Sequence, residues 1–272
     1  MPELPEVETI KNEISPYIIG RRISGITLPW EGIVKEPSAE EFCSRVTGRK
    51  IMSIVRRGKY LLVNLDSSDT LILHMKMSGS LLIVDGAAEP PKYTRAIVCL
   101  DNGRKIFFRD PRKFGVMRLV KDGLSVVSKL GPEPLEASFT PEVLARLLAK
   151  RVSPIKALLS DQQVIAGIGN MYADEALFAA KIHPLRPGGS LTKDEIKRLY
   201  GAIIKVLKLG LFYKGASERD YVRPDGTKGT AHSQFKIAHR GGELCPNCGT
   251  PIQRTTVRNR GTYFCPKCQP AR

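Results

Sequence analysis

Four cysteines toward the end of the chain have the spacing of a metal site. Cys245-Pro-Asn-Cys248 and Cys265-Pro-Lys-Cys268 are each C-x2-C, with 16 residues between the pairs. Two such knuckles can set four thiolates at about 2.3 Å around one Zn2+, the stretch between them folding back as a hairpin. Four protein ligands leave no position for water, so the expected cofactor is a single structural Zn2+. Redox or chance pairing of the thiols is the competing reading, and the spacing favours the metal. Around these cysteines lie Arg240, Arg254, Arg258, Arg260, Lys267 and Arg272 against the one acid Glu243. Guanidinium groups on a stapled hairpin suit phosphates. Zinc ribbons also bind proteins, so this segment alone leaves the partner open.

The second candidate for chemistry is the start, Met1-Pro2-Glu3-Leu4-Pro5-Glu6. Removal of the initiator Met before a small residue would leave Pro2 as a secondary amine beside the Glu3 carboxylate. A terminal amine titrates near 8, so part of it is neutral and nucleophilic at cellular pH. The plainer alternative is that Pro2 only opens the first helix.

Charge narrows the partner. Against 27 Asp and Glu stand 43 Lys and Arg, a net +16, which favours a polyanion. The basic residues cluster: Arg49 to Tyr60 holds five and no acid, and Arg104 to Lys121 holds seven with Asp110 the only acid. Tyr60, Phe107, Phe108 and Phe114 are interleaved among them, unlike a bare polybasic tail. No apolar run reaches the roughly 18 residues of a membrane span, and the N-terminus lacks the basic-then-apolar pattern of a secretory signal. The expectation is a cytoplasmic protein without a membrane, acting as a monomer.

The elements that must position these groups change character midway. From about Ile23 to Lys121, short β-branched runs recur between turn signals: Ile51 to Val55, Tyr60 to Leu65, Thr70 to His74, Ser80 to Val84, Ala96 to Leu100, Lys105 to Phe108 and Val116 to Val120. Asp101-Asn102-Gly103 reads as a hairpin turn. Pro5 to Ile19 reads as a helix ahead of this β half, with Val7, Ile10 and Ile14 near helical spacing. After Gly131-Pro132-Glu133-Pro134 the period becomes helical: Thr140 caps a helix opening on Pro141, and further helices are expected over Pro154 to Ser160, Asn170 to Ala180 and Lys193 to Leu209, the last with a Thr192 to Glu195 capping box. Residues Gly210 to Gly242 read as a mobile loop. The expected fold class is multidomain α+β: an N-terminal β-sandwich with an N-terminal helix, a helical domain and a C-terminal zinc hairpin. Domain limits are set at 1-133, 134-222 and 223-272.

Six motifs in order carry a resemblance over essentially the whole chain: Pro2-Glu3-Leu4-Pro5-Glu6-Val7-Glu8-Thr9, Arg57-Gly58-Lys59-Tyr60-Leu61, His74-Met75-Lys76-Met77-Ser78-Gly79, Asp110-Pro111-Arg112-Lys113-Phe114-Gly115, Gly167-Ile168-Gly169-Asn170-Met171-Tyr172 and Arg260-Gly261-Thr262-Tyr263-Phe264-Cys265. The chain resembles the bacterial formamidopyrimidine-DNA glycosylases. That resemblance implies a helix-two turns-helix domain and a bifunctional glycosylase/AP lyase acting on double-stranded DNA that contains oxidised purines or abasic sites. It implies Pro2 as the nucleophile that forms a Schiff base with the sugar, Glu3 as proton shuttle, Lys59 as helper in β-elimination and Arg260 in δ-elimination. Phosphate binding alone is the alternative for Lys59 and Arg260.

The same resemblance assigns Met77, Arg112 and Phe114 to filling the gap left by a flipped nucleotide, Arg112 also to the orphaned cytosine, and Tyr93, Arg151, Lys156 and Asn170 to DNA contacts. His74 is divided between a phosphate contact and the core, and for Met77 and Phe114 a core position is the alternative. The chain departs from most relatives at Tyr93, where they have His, at Lys214-Gly215-Ala216-Ser217 and at Ala238-His239. Two rivals remain: an endonuclease VIII-like enzyme for oxidised pyrimidines, against which Leu4 and the Asp110 to Gly115 motif speak, and a non-catalytic damage binder.

Overall fold

The computed structural model of the chain describes residues 1–218 and 220–271. Arg272, counted above among the basic residues of the cysteine segment, lies outside the described residues. The chain divides into two compact units, Met1–Ser128 with Tyr213–His232, and Lys129–Phe212 with the segment from Ser233 onward. The three consecutive segments expected from the sequence are thus crossed by one return of the chain to its first unit.

The first unit opens on α1 (Leu4–Ile18). Val7, Ile10, Ile14 and Ile18 recur at helical spacing on one face and are at most 1% exposed, which docks the helix on the β core. Nine strands follow: β1 (Ile23–Thr27), β2 (Val34–Glu36), β3 (Ile51–Arg57), β4 (Tyr60–Leu65), β5 (Thr70–His74), β6 (Ser80–Asp85), β7 (Thr94–Leu100), β8 (Arg104–Arg109) and β9 (Val116–Val120). They make a four-stranded sheet, β1-β7-β8-β6, and a five-stranded sheet, β2-β9-β5-β4-β3. Leu61, Val63, Leu71, Leu73, Leu81, Ala96 and Phe108 from both sheets share one apolar core, so the fold is the expected sandwich.

All seven runs named from the sequence are strands, and the 101–103 turn joins β7 to β8, with Gly103 at φ +79°. Two α-helices were not anticipated: α2 (Ala39–Val46), capped by the Ser38 hydroxyl on Glu41 N–H and buried through Phe42 and Val46, and α3 (Gly123–Val127), capped by the Asp122 carboxylate on Leu124 and Ser125 N–H.

The expected mobile loop is a correction. Tyr213–His232 is folded: Thr230 N–H donates to Tyr213 O at 2.9 Å, Ala231 N–H to Gly215 O at 2.9 Å, and Tyr221 is 5% exposed within the sandwich core. Arg223 clamps both carboxylate oxygens of Glu13, Nε at 3.0 and 3.2 Å and Nη2 at 2.7 Å. Gly and Asp-Gly signals mark turns correctly, but the partners that fix this segment lie 210 residues away.

In the second unit, α4 (Pro141–Leu148) is capped by Thr140 as expected, then come α5 (Ile155–Leu159), α6 (Asn170–Ala180) and α7 (Lys193–Phe212). The capping box on α7 is present: Glu195 N–H donates to Thr192 Oγ1 and Thr192 N–H to Glu195 Oε2. Glu195 also receives Arg186, which holds its carboxyl down at about 2. The unit ends in the hairpin of β10 (Gln253–Val257) and β11 (Arg260–Phe264), whose central residues Arg258 and Asn259 stand at φ +45° and +61°, as a type I′ turn demands.

Candidate active site and metal centre

The N-terminal chemistry is buried. Pro2 is buried, Glu3 is 2% exposed and Glu6 1%. Glu6 ties down both neighbours: its Oε2 accepts Glu3 N–H at 2.8 Å, closing the start of α1, and its Oε1 accepts Ala216 N–H at 2.8 Å from the folded 213–232 segment. The backbone of Glu3 is thereby fixed by a carboxylate three residues on, which leaves the Glu3 side chain at a defined place beside Pro2.

Lys59 is 3% exposed and lies in the two-residue turn between β3 and β4, closed by the Arg57 and Tyr60 pair. Gly58 takes φ +56° there, a conformation glycine adopts without strain. Arg56 Nε donates to Glu8 Oε2 at 2.6 Å, and Arg56 Nη1 donates to Gly58 O at 3.0 Å. One guanidinium therefore joins α1, which begins at the Pro2 and Glu3 end, to the turn that carries Lys59. Burial works to raise the Glu8 carboxyl, but its hydrogen bonds to Lys11 and Arg56 outweigh it and hold the group below its ordinary value.

His74, at the end of β5, is 8% exposed and packs edge-on against Tyr60. Its Nδ1 accepts Lys76 N–H at 2.9 Å. Burial, with the charges of Lys76 and Lys59 nearby, pushes the imidazole down to about 3, so the ring is neutral. Of the two readings of His74, this favours a core residue that shapes the following turn.

That turn and its neighbour present three exposed groups. Met77 is 42% exposed, Phe114 is 49% exposed, and the Arg112 guanidinium lies 4.9 Å from the Phe114 ring centroid. The core alternative for Met77 and Phe114 does not hold. Both turns carry a lysine in the left-handed region, Lys76 at φ +51° and Lys113 at φ +59°, each costing about 1 kcal/mol that the surrounding structure must offset. Tyr93 also stands at φ +73°, with Lys92, Arg95 and Arg109 at 5.1, 5.8 and 5.8 Å from its ring. A tyrosine cannot carry the positive charge of a histidine, but three cations gather on its face.

In the second unit a groove of about 370 Å³ runs between the α5 to α6 connection and the hairpin, lined by Lys156, Ser160, Gln162, Val257, Arg258 and Arg260 among others. Gln162 builds its wall: its Oε1 accepts Gly167 N–H at 2.9 Å and its Nε2 donates to Ile168 O at 2.7 Å, pinning the glycine turn before α6. Asn170, first residue of α6, donates from Nδ2 to Gly261 O of the hairpin at 2.9 Å. Arg151 and Arg260 are exposed.

Lys156 requires correction. It is 1% exposed, its Nζ donates to Asn170 O at 2.6 Å and pairs with Asp174 at 2.5 Å. Burial raises the Asp174 carboxyl to about 7, against the pull of Lys156 and of Tyr263 N–H. The ammonium is spent on protein partners, so Lys156 positions Asn170 where the sequence suggested a DNA contact.

The four cysteine sulfurs lie within 4.8 Å of one another, with Cys245 to Cys268 at 3.9 Å and Cys248 to Cys265 at 3.5 Å. Tetrahedral Zn2+ would separate its sulfurs by about 3.8 Å, so the donor set fits that ion. Burial and the neighbouring thiols push Cys268 up to about 12, a crowding that a bound cation relieves. Two supports outside the C-x2-C signal hold the centre. Gln269, fully buried, accepts Cys265 N–H and donates to Ile182 O, and Glu175 accepts the N–H groups of Lys236, Ile237 and Ala238. No local pattern marks either support, because Ile182 lies 87 positions from Gln269 and Lys236 lies 61 from Glu175.

Three family profiles match the chain: the formamidopyrimidine-DNA glycosylase N-terminal domain over residues 1–117, the H2TH domain of the same enzymes over 130–221, and the zinc finger found in FPG and IleRS over 242–271. A formamidopyrimidine-DNA glycosylase of Chloroflexus aurantiacus is 46% identical over 99% of this chain and 98% of its own length. Among solved structures, the Lactococcus lactis Fpg bound to DNA containing an abasic site superposes with a TM-score of 0.92 at 33% identity, covering 99% of this chain and all of that one. A MutM complex with DNA containing carbocyclic 8-oxo-G gives the same TM-score, identity and coverage.

Proposed function

The chain belongs to the formamidopyrimidine-DNA glycosylase family, and on that premise we propose how its own residues divide the work. It is a base-excision repair glycosylase that removes oxidised purines from double-stranded DNA, with the abasic-site lyase activity typical of the family. The damaged nucleotide must leave the stack before its C1′ can be reached. Once Met1 is removed, the Pro2 amine attacks C1′. The bond from C1′ to the base breaks, the base departs with its electron pair and takes up a proton, and Glu3 protonates the ring oxygen as the sugar opens.

The resulting iminium withdraws electrons and acidifies C2′. Loss of that proton expels the 3′ phosphate, and a second elimination releases the 5′ phosphate. Lys59 assists the first elimination and Arg260 the second. Met77, Arg112 and Phe114 fill the vacated position. Tyr93, Arg151, Asn170 and the Arg258 to Arg260 groove bind the DNA backbone, and Lys156 holds Asn170. Zn2+ on Cys245, Cys248, Cys265 and Cys268 supplies no chemistry to the reaction; it fixes the hairpin that presents Arg260. The protein acts in the bacterial cytoplasm as a single chain.

The observation that carries this reading is the buried start of α1, where Glu6 holds the Glu3 backbone next to the buried Pro2 while Arg56 couples the helix to the Lys59 turn. Borohydride trapping on a duplex with 8-oxoguanine opposite C tests it. The reagent reduces the iminium to a stable link, so a covalent protein-DNA species is expected, and a peptide extension ahead of Pro2 should abolish it. Full strand cleavage without any trapped species would defeat the Pro2 mechanism.

A further inference from the structure

The turns that carry the three gap-filling residues are separate in sequence, at 75–79 and 110–115, yet a single buried carboxylate joins them. Asp110 is fully buried. Its Oδ1 accepts the Ser78 hydroxyl at 2.5 Å and Arg112 N–H at 3.2 Å, and its Oδ2 accepts Gly115 N–H at 2.6 Å. The first bond reaches into the Met77 turn; the other two brace the Arg112 and Phe114 turn at both ends. Its backbone is fixed as well, since Arg95 Nε donates to Asp110 O at 2.8 Å and Asp110 N–H donates to Tyr93 O at 3.0 Å.

A second, independent feature joins the same turns. Gly79 and Gly115 both lie against the ring of Phe108: a Cβ on Gly79 would meet that ring at 3.0 Å and the Met75 backbone oxygen at 2.5 Å, and one on Gly115 would meet the ring at 2.6 Å. Each turn needs its glycine so that both can close on one buried phenyl group, itself 2% exposed. Polar and apolar ties therefore agree.

We propose that Asp110 is a positioning residue for opposite-base selection: through Ser78 and the amides of Arg112 and Gly115 it locks the two turns into one body, so that Met77, Arg112 and Phe114 enter the duplex in fixed register. This rests on the gap-filling roles proposed above. A carboxylate is required because both of its oxygens accept N–H or O–H donors. Asparagine in either orientation turns an NH2 toward a backbone N–H, of Gly115 in one flip and of Arg112 in the other, and so satisfies only one side. With that register lost, the Arg112 guanidinium no longer meets the orphaned base at fixed distance, and discrimination between bases weakens before reaction with the lesion does.

The test is the ratio of kcat/KM for 8-oxoguanine opposite C to that opposite A, measured in the wild type, Asp110→Asn, Ser78→Ala, Arg112→Ala and the Asp110→Asn/Arg112→Ala pair. A general loss of folding lowers both rates alike and leaves the ratio unmoved. We expect Asp110→Asn to lower the ratio at least fivefold, Ser78→Ala to lower it less, and Asp110→Asn to add nothing to Arg112→Ala, since it acts through that residue. A ratio that falls in Arg112→Ala but stays at the wild-type value in Asp110→Asn and Ser78→Ala overturns the proposal and leaves the role of Arg112 standing. An unchanged ratio in Arg112→Ala removes that role and the proposal with it. Should Asp110→Asn fail to fold, Ser78→Ala, which deletes one hydrogen bond, decides the matter.

Discussion

At the residue scale the environment selects which protonation state a group can use. His74 is held neutral with its imidazole near 3, while an unfolded histidine takes a proton near 6.5. Between those values the unfolded chain binds the extra proton, so the stability that His74 contributes is fully present above pH 6.5 and is lost as pH falls toward 3, at about 1.4 kcal/mol per pH unit. Urea denaturation of the wild type between pH 7 and pH 4.5 should show this slope, and His74→Asn, which cannot titrate there, should show a flatter one.

Glu3 makes a kinetic contrast. Glu3→Gln keeps the shape and removes the proton transfer, so excision of 8-oxoguanine should fall by about 100-fold or more, measured in single turnover. An unaltered rate would take Glu3 out of the reaction.

At the element scale, supports distant from the chemistry hold it in place. The Lys156 and Asp174 pair is buried between α5 and α6. Removing one partner leaves a charge buried without compensation, so Lys156→Met alone should destabilise the protein by about 3 to 5 kcal/mol in thermal or urea unfolding. Converting both, Lys156→Met with Asp174→Leu, should recover much of that loss, and a double variant no more stable than the single one would show that the pair is not what the fold depends on.

The zinc hairpin has no comparable apolar reserve. Its cluster is small, Cys245, Ile252 and Cys265 with Phe178 and Ile237, and removing the ion would leave four cysteine sulfurs within 4.8 Å of one another. Chelation should therefore abolish DNA binding and strand cleavage together while far-UV circular dichroism retains the β-sandwich signal. Full activity after verified zinc removal would break the link between metal and hairpin function.

At the scale of the whole molecule, charge dominates. A net +16 on a 272-residue chain gives DNA binding a large counterion-release component, so affinity should fall steeply as salt rises. Arg151 is exposed and belongs to the proposed backbone contacts. Arg151→Ala should weaken binding evenly across sequences and reduce the slope of log K against log salt by about 1. A full wild-type slope would mean that Arg151 faces solvent without touching phosphate. Among the described residues no helix is long and apolar enough to cross a membrane.

Much of what depends on neighbours in sequence could be read from it, the Ser38 cap of α2 excepted. Short apolar runs between turn signals marked Tyr60–Leu65, Thr70–His74 and Val116–Val120 as strands, Thr140 and Thr192 marked helix starts, and two C-x2-C pairs marked the metal centre. Strand period, capping and ligand spacing are all settled within a few residues, so composition carries them. Tertiary structure alone decided that Lys156 faces Asp174, that Glu6 reaches Ala216, that the glycine-rich 213–232 segment is folded onto the sandwich, and that Asp110 ties two turns together. These are matters of burial and of hydrogen bonding between residues 18 to 210 positions apart, and a lysine or an aspartate reads the same in the chain whether it is destined for water or for a buried partner.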